Sequence, residues 1–176
     1  MQTPGKVIRS ADHFRLGGLP RARRRMPPRR VARVSDPSAG PSTTPPFIDK
    51  IAWIHLEERR LLTARNAGRD RFYLPGGKRE PGESDVETLV RELDEELTVA
   101  IDPATAAHVG TFEALADART DGLVVRLTCY TATHTGELVP SREIDEIAWL
   151  SAGDGDRVSA VDRLVLVHLR DAGLLD

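Results

Sequence analysis

Glu92, Glu95 and Glu96 stand at i, i+3 and i+4 in "RELDEELTV" (91–99). At helical spacing such like charges face one another and weaken the helix. Two readings fit the triad alone. It is a solvated acidic face paired with Arg91 and other basic residues, or a set of hard oxygen donors gathered for Mg²⁺ or Mn²⁺, which would remove the repulsion. The helix that carries the triad is well specified. Ser84 and Glu87 form an S-x-x-E capping box at its start. Val86, Leu89, Val90, Leu93 and Leu97 fall within an arc of about 100° and form the buried stripe. The three glutamates occupy the arc immediately beside it, at the edge of the core.

The segment before the helix favours the cation. "LPGGKREPGE" (74–83) holds Gly76, Gly77 and Gly82 with Pro75 and Pro81. Such a turn is stiff and lets backbone groups approach a ligand closely. It delivers Glu83 and the helix start to a fixed place beside the carboxylates.

Together these residues resemble the signature of the Nudix (MutT-like) hydrolases, G-x5-E-x7-R-E-U-x-E-E-x-G-U, where U is aliphatic. Here it runs Gly77, Glu83, Arg91, Glu92, Leu93, Glu95, Glu96, then Thr98 in place of Gly, then Val99. The resemblance implies an α+β Nudix fold, an α/β/α sandwich with a mixed sheet. It also implies metal-dependent hydrolysis of a nucleoside diphosphate linked to another group. By matching positions Glu92, Glu95 and Glu96 are the expected metal-binding carboxylates, with the Gly77 carbonyl as a further ligand. Glu83 and Arg91 are the expected pair that orients the loop against the helix. An acid before the last core strand completes such sites. Glu143 of "SREIDEIAWL" takes that place, with Glu146 second, and Glu92 or Glu143 is the expected proton acceptor. Arg65, ending "LLTAR", resembles a contact to substrate phosphate.

The family's subfamily markers are mostly missing. "FEALAD", past the box, has neither the Pro of ADP-ribose hydrolases nor the Tyr of diadenosine-polyphosphate hydrolases. That leaves a MutT-like nucleoside triphosphate pyrophosphatase, acting on ordinary or oxidised nucleotides. Base recognition is expected from the 154–162 region or the early strands. Other nucleotide derivatives, such as a nucleotide sugar or an RNA 5′ end, are the alternatives. A non-catalytic nucleotide-binding regulatory module is disfavoured because every box carboxylate is present.

The elements that must hold these residues are short. "FIDKIAWIHLEE", "RRLLTAR" (its partner), "RFYLPGG", "AHVGTFEALA", "LVVRLTCYTAT" and "EIAWL" read as strands, with a turn at "ARTDG". A second helix near 158–172 shows Val161, Leu164, Val165, His168 and Leu169 on one face, ended by Gly173. His168 reads as a core or boundary histidine. A Thr at 98 would cost about 1–3 kcal/mol in the left-handed conformation that the family Gly adopts, so this helix is expected to end differently.

The net charge of −2 hides an asymmetry. Residues 1–46 carry ten Lys or Arg against Asp12 and Asp36, a net of +8, leaving −10 for 47–176. The first segment also holds eight of the twelve prolines and ends in the linker-like "SDPSAGPSTTPPF". It reads as a disordered basic Pro-rich tail before a domain over 47–176. A solvated extension is the main reading of this tail; a transit peptide or a grip on nucleic acid are the others. The lone Cys129 cannot form an intrachain disulfide, and its strand context makes it a buried inert thiol. With no apolar run of about 18 residues, the expectation is a cytoplasmic protein whose partner is a nucleotide rather than a membrane.

Overall fold

Alternation along the first strand sorts the core into two layers. Ile51 and Trp53 pack with Leu62, Leu89, Leu93, Leu97 and Val99 on one side. Ala52 and Ile54 pack with Leu61, Leu127, Val161, Val165 and Leu169 on the other. A strand whose two faces are both buried needs a helix over each, and the chain supplies them. In this computed structural model the described residues are 47–117 and 122–176. The basic tail 1–46, and 118–121 of the expected turn, lie outside them.

The elements are β1 (Phe47–Trp53), β2 (Leu56–Glu57), β3 (Arg60–Asn66), α1 (Asp85–Leu97), β4 (Ala100–Ile101), β5 (Ala107–Leu115), β6 (Val124–Thr131), β7 (His134–Thr135), β8 (Ile144–Leu150) and α2 (Ala160–Asp171). One sheet has the order β1-β6-β5, with β1 parallel and β5 antiparallel to β6. A second has the order β2-β3-β8, and β4 pairs with β7. The result is the expected α+β architecture with mixed pairing. Among the described residues no helix is long and apolar enough to cross a membrane.

The expected pairing of β1 with β3 is only begun. Leu56 pairs with Leu61, and the Leu62 N–H donates to the His55 carbonyl at 2.9 Å. Beyond that the strands splay, and the segment 72–77 lies between them. Tyr73 exchanges both backbone hydrogen bonds with Ala64 of β3. On its other side the Ile51 N–H donates to Gly77 O (2.8 Å) and the Trp53 N–H to Pro75 O (2.9 Å). "RFYLPGG" is therefore a seam between two sheets rather than a regular strand. Pro75 lacks the N–H that a continuous ladder needs.

Two helix details depart from expectation. Thr98 does take the left-handed conformation, φ 56°, ψ 29°, and its N–H caps α1 by donating to the Leu93 and Asp94 carbonyls. The cap bonds, with Val99 buried immediately after, hold the β-branched residue there. In α2, Leu164 and His168 are exposed, whereas Asp162 and Leu166 are buried. The buried arc centres on Val161, Val165 and Leu169 and extends the other way from the expected one. His168 instead meets Phe112 edge-on at 5.4 Å. Gly173 ends α2 at φ 71°, with Gly173 N–H to Arg170 O and Leu174 N–H to Leu169 O.

Candidate active site

The Ser84–Glu87 capping box forms in both directions and fixes where α1 begins. That sets the phase of the three glutamates, one to three turns later. Glu96 faces inward, 7% exposed, and its carboxylate accepts the Gly76 N–H at 2.8 Å. Burial pushes its pKa up to about 7. The Gly76 N–H and Lys50 pull it back down, while Glu92 and Glu143 push it further up. Glu92 lies against Gly77, where a Cβ would overlap its carboxylate. At Gly76 the left-handed φ of 132° and the Ile51 carbonyl both exclude a side chain. These two glycines therefore have different roles: one lets the loop cross β1, the other makes room for a carboxylate.

Arg91 forks onto Glu83, Nε to Oε1 at 2.6 Å and Nη2 to Oε2 at 2.8 Å. It also donates to Glu92 (2.9 Å) and to the Lys78 carbonyl (3.1 Å). Bidentate pairing of this kind fixes geometry as well as charge. Arg91, followed by the Glu80 N–H, holds the Glu83 carboxyl down to about 2. Helix, loop and Glu83 are thus one unit.

A cleft of about 290 Å³ opens at this junction, lined among others by Lys50, Tyr73, Gly77, Glu92, Glu96 and Glu143. Three of the expected carboxylates and the expected carbonyl ligand meet there. The Gly77 carbonyl already accepts from Ile51, and its second lone pair is open to another partner. Besides the Glu83–Arg91 pair, two residues expected to contact metal or substrate do not line the cleft. Glu95 faces Arg142 (3.1 Å) and Arg91 (3.8 Å). Arg65 donates to Glu146 at 2.6 Å and lies 3.5 Å from Asp145. Strand alternation turns it away from Ala64 and Asn66, which do line the cleft. Glu146, the second choice for the loop acid, is thereby held by Arg65, and Glu143 is the one that reaches the cleft.

The donor types suit a hard divalent ion: carboxylates and a carbonyl, with a buried Glu96 lacking a counter-cation in contact. Among the described residues no three acidic, His or Cys side chains converge into an ion cage as they stand. Ion pairs engage part of the set as it stands, Arg91 holding Glu92 and Arg142 holding Glu95. By donor type the residues fit the metal, with Glu92, Glu96 and Glu143 already lining the cleft and Glu95 outside it.

Two features of this region are not evident from sequence patterns of acids. Lys50, on β1, lines the cleft. Asp162, on α2, is fully buried behind the loop; its carboxylate accepts the Leu74 N–H (3.2 Å) and the Ser159 hydroxyl (2.5 Å). Burial pushes it up to about 6, against the pull of Ser159, Leu74 and Lys50. The S-x-x-D spacing of Ser159 and Asp162 is the signal that marks it. Cys129 is buried and free, and burial pushes its thiol up, away from reactivity.

A family model described as the NUDIX domain matches residues 48–167. Among solved structures, the chain is similar to the Escherichia coli ORF135 protein at 26% identity and TM-score 0.59, covering 76% of this chain and 97% of that one. It is also similar to a MutT protein from Bacillus halodurans at 25% identity and TM-score 0.55, covering 69% and 80%. A MutT protein from Methanosarcina mazei shares the fold at 20% identity and TM-score 0.60, covering 75% and 99%. A search of curated protein sequences returns no significant match. A family match over most of the described domain, on top of the loop–helix unit and its cleft, leaves one conclusion: the chain belongs to the Nudix family, as a Nudix hydrolase.

Proposed function

We propose that this hydrolase cleaves the pyrophosphate bond of nucleoside triphosphates, ordinary or oxidised, releasing a nucleoside monophosphate and pyrophosphate. The observation that carries this reading is the convergence of Gly77, Glu92, Glu96 and Glu143 on one cleft. MutT proteins among the similar structures support the nucleotide as substrate class. Glu92, Glu96, Glu143 and the Gly77 carbonyl would hold Mg²⁺ or Mn²⁺, joined by Glu95 on release from Arg142. When bound, the ion supplies charge neutralisation for the pyrophosphate oxygens and a more acidic water.

The chain's own groups do the rest. Glu143, exposed at the cleft mouth, or Glu92 accepts a proton as water oxygen bonds to phosphorus and the bridging P–O bond breaks. The leaving phosphate departs with the electron pair of that bond. The Glu83–Arg91 pair keeps loop and helix in register through the reaction, and most of the rate gain comes from such positioning and electrostatic stabilisation. A cytoplasmic setting agrees with a single thiol that is free and buried.

The test is a panel of nucleoside triphosphates, oxidised triphosphates, nucleotide sugars and capped or triphosphorylated RNA ends, each with Mg²⁺, Mn²⁺ or excess EDTA and with products identified. Monophosphate plus pyrophosphate from triphosphates, lost in EDTA, is expected. Turnover confined to another panel member would replace the substrate, and unchanged activity in EDTA would end the metal-site reading.

A further inference from the structure

Lysine is scarce in this chain, three residues against 22 arginines. Two of the three fall in the described domain, Lys50 and Lys78, and both lie on the cleft wall. Their backbones are joined by an antiparallel bridge. Lys78 is exposed on the loop, whereas Lys50 is half-buried on β1. Alternation puts Lys50 on the face of Ala52 and Ile54, toward α2. Its charge acts in two directions, favouring the ionised forms of Glu96 on α1 and Asp162 on α2. Among the described residues its ammonium makes no hydrogen bond or ion pair. The arginines nearby are all committed: Arg65 to Glu146, Arg79 to Asp49 and Asp85, Arg91 to Glu83 and Glu92.

We propose that Lys50 is a substrate-binding residue that donates to a non-bridging phosphate oxygen of the bound nucleotide, the role that the family resemblance implies for Arg65. This inference rests on the pyrophosphohydrolase reading above. A half-buried ammonium has lost part of its hydration, and here its only return is the through-space attraction of Glu96 and Asp162, with no hydrogen bond or ion pair. A full anion restores more than a neutral base carbonyl does, because charge-assisted bonds are about twice as strong as neutral ones. Lysine also suits such a contact, because its compact charge and three rotatable donors reach one tetrahedral oxygen without demanding the planar fork that arginine prefers. Arg65 would have to break its 2.6 Å contact with Glu146 and turn to the other face of β3 to do the same.

The experiment is calorimetric titration of inorganic pyrophosphate with Mg²⁺ into the full chain, its Lys50→Gln and Lys50→Arg variants, and Arg65→Gln. Alongside it, Mn²⁺ is titrated without pyrophosphate. Lys50→Gln should weaken pyrophosphate binding by about tenfold or more, Lys50→Arg should recover much of it, and Arg65→Gln should change it less than about twofold. Mn²⁺ affinity of Lys50→Gln should stay equal or tighten, since a positive charge beside Glu96 is gone. Should the glutamine variant misfold, Lys50→Met keeps the apolar stem and repeats the measurement. Undiminished pyrophosphate binding by Lys50→Gln overturns the assignment, including the case in which only its nucleotide base preference changes. So does a parallel loss of Mn²⁺, or a loss carried by Arg65→Gln. A wild-type chain that cleaves no pyrophosphate compound overturns the proposed function itself, an outcome distinct from these.

Discussion

The Gly76 N–H and the Glu96 carboxylate meet at 2.8 Å, joining the loop that crosses β1 to the inner face of α1. The same residue is buried, on the helix that also buries Leu93 and Leu97. One bond therefore fixes both the loop's height over the cleft and the direction in which a charged group enters the core. An amide can accept the same N–H but cannot offer a second anionic oxygen.

Glu96→Gln should accordingly fold normally while losing turnover by at least about 100-fold, equivalent to roughly 2.7 kcal/mol of lost stabilisation. Steady-state kinetics with saturating Mg²⁺, beside a melting curve, checks this. Near-wild-type turnover would remove Glu96 from the site.

The adjacent glycines should respond differently to alanine. Gly77→Ala pushes a methyl into the Glu92 carboxylate, the movable end of a side chain. Activity and metal affinity should fall, with only a small change in melting temperature. Gly76→Ala meets the Ile51 backbone at a left-handed φ, where strain alone costs of order 1–3 kcal/mol. It should lower the melting temperature markedly. Equal effects of the two on stability would contradict the separation of roles.

Glu143 lines the cleft while Glu146 is bound by Arg65. Glu143→Gln should cut turnover far more than it changes substrate affinity, and Glu146→Gln should leave turnover within about threefold, because an exposed ion pair contributes little. The reverse ranking would show that the loop changes register when substrate binds.

Thr98→Gly should raise stability, by about 1 kcal/mol in urea unfolding, since glycine adopts the left-handed cap without strain. The Thr98 side chain is exposed, so little packing is lost with it. A lower unfolding midpoint would show that Thr98 is held by contacts worth more than its strain.

Asp162 titrates near 6 in the folded chain against an ordinary 3.8. The folded state then holds a proton that the unfolded state releases, so this group's contribution is fully present below about pH 4 and is lost as pH rises to about 6. Measured against Asp162→Asn, which carries no such proton, wild-type stability should decline across that window by on the order of 2–3 kcal/mol and then level off. A difference independent of pH would mean that Asp162 is not buried as a protonated acid.

How much of this was legible in the sequence depended on whether the cause was local. The capping box, the phase of Glu92 and Glu96 beside the apolar stripe, and the loop's glycines are set by residues within one or two turns of each other. The capping box and the glycines stand as the spacing required, but the buried arc of α1 is Thr88, Leu89, Leu93, Glu96 and Leu97, with Val86 and Val90 only half-buried, because Glu96 is drawn inward to the Gly76 N–H. Thr98 is the instructive failure: local strain argues against a left-handed threonine, but the cap bonds and the burial of Val99 outweigh it.

What sequence could not decide were the relationships between distant segments. Arg65 and Glu143 look equally suited to the site in one dimension. Pairing of β3 with β8 gives Arg65 to Glu146 and Asp145, whereas the turn entering β8 carries Glu143 to the cleft. The wedge of 72–77 between β1 and β3 brings Ile51 to Gly77 and Leu74 to Asp162 across the fold. A buried polar group must find its partner wherever the packed chain places one, and only the tertiary structure says where that is.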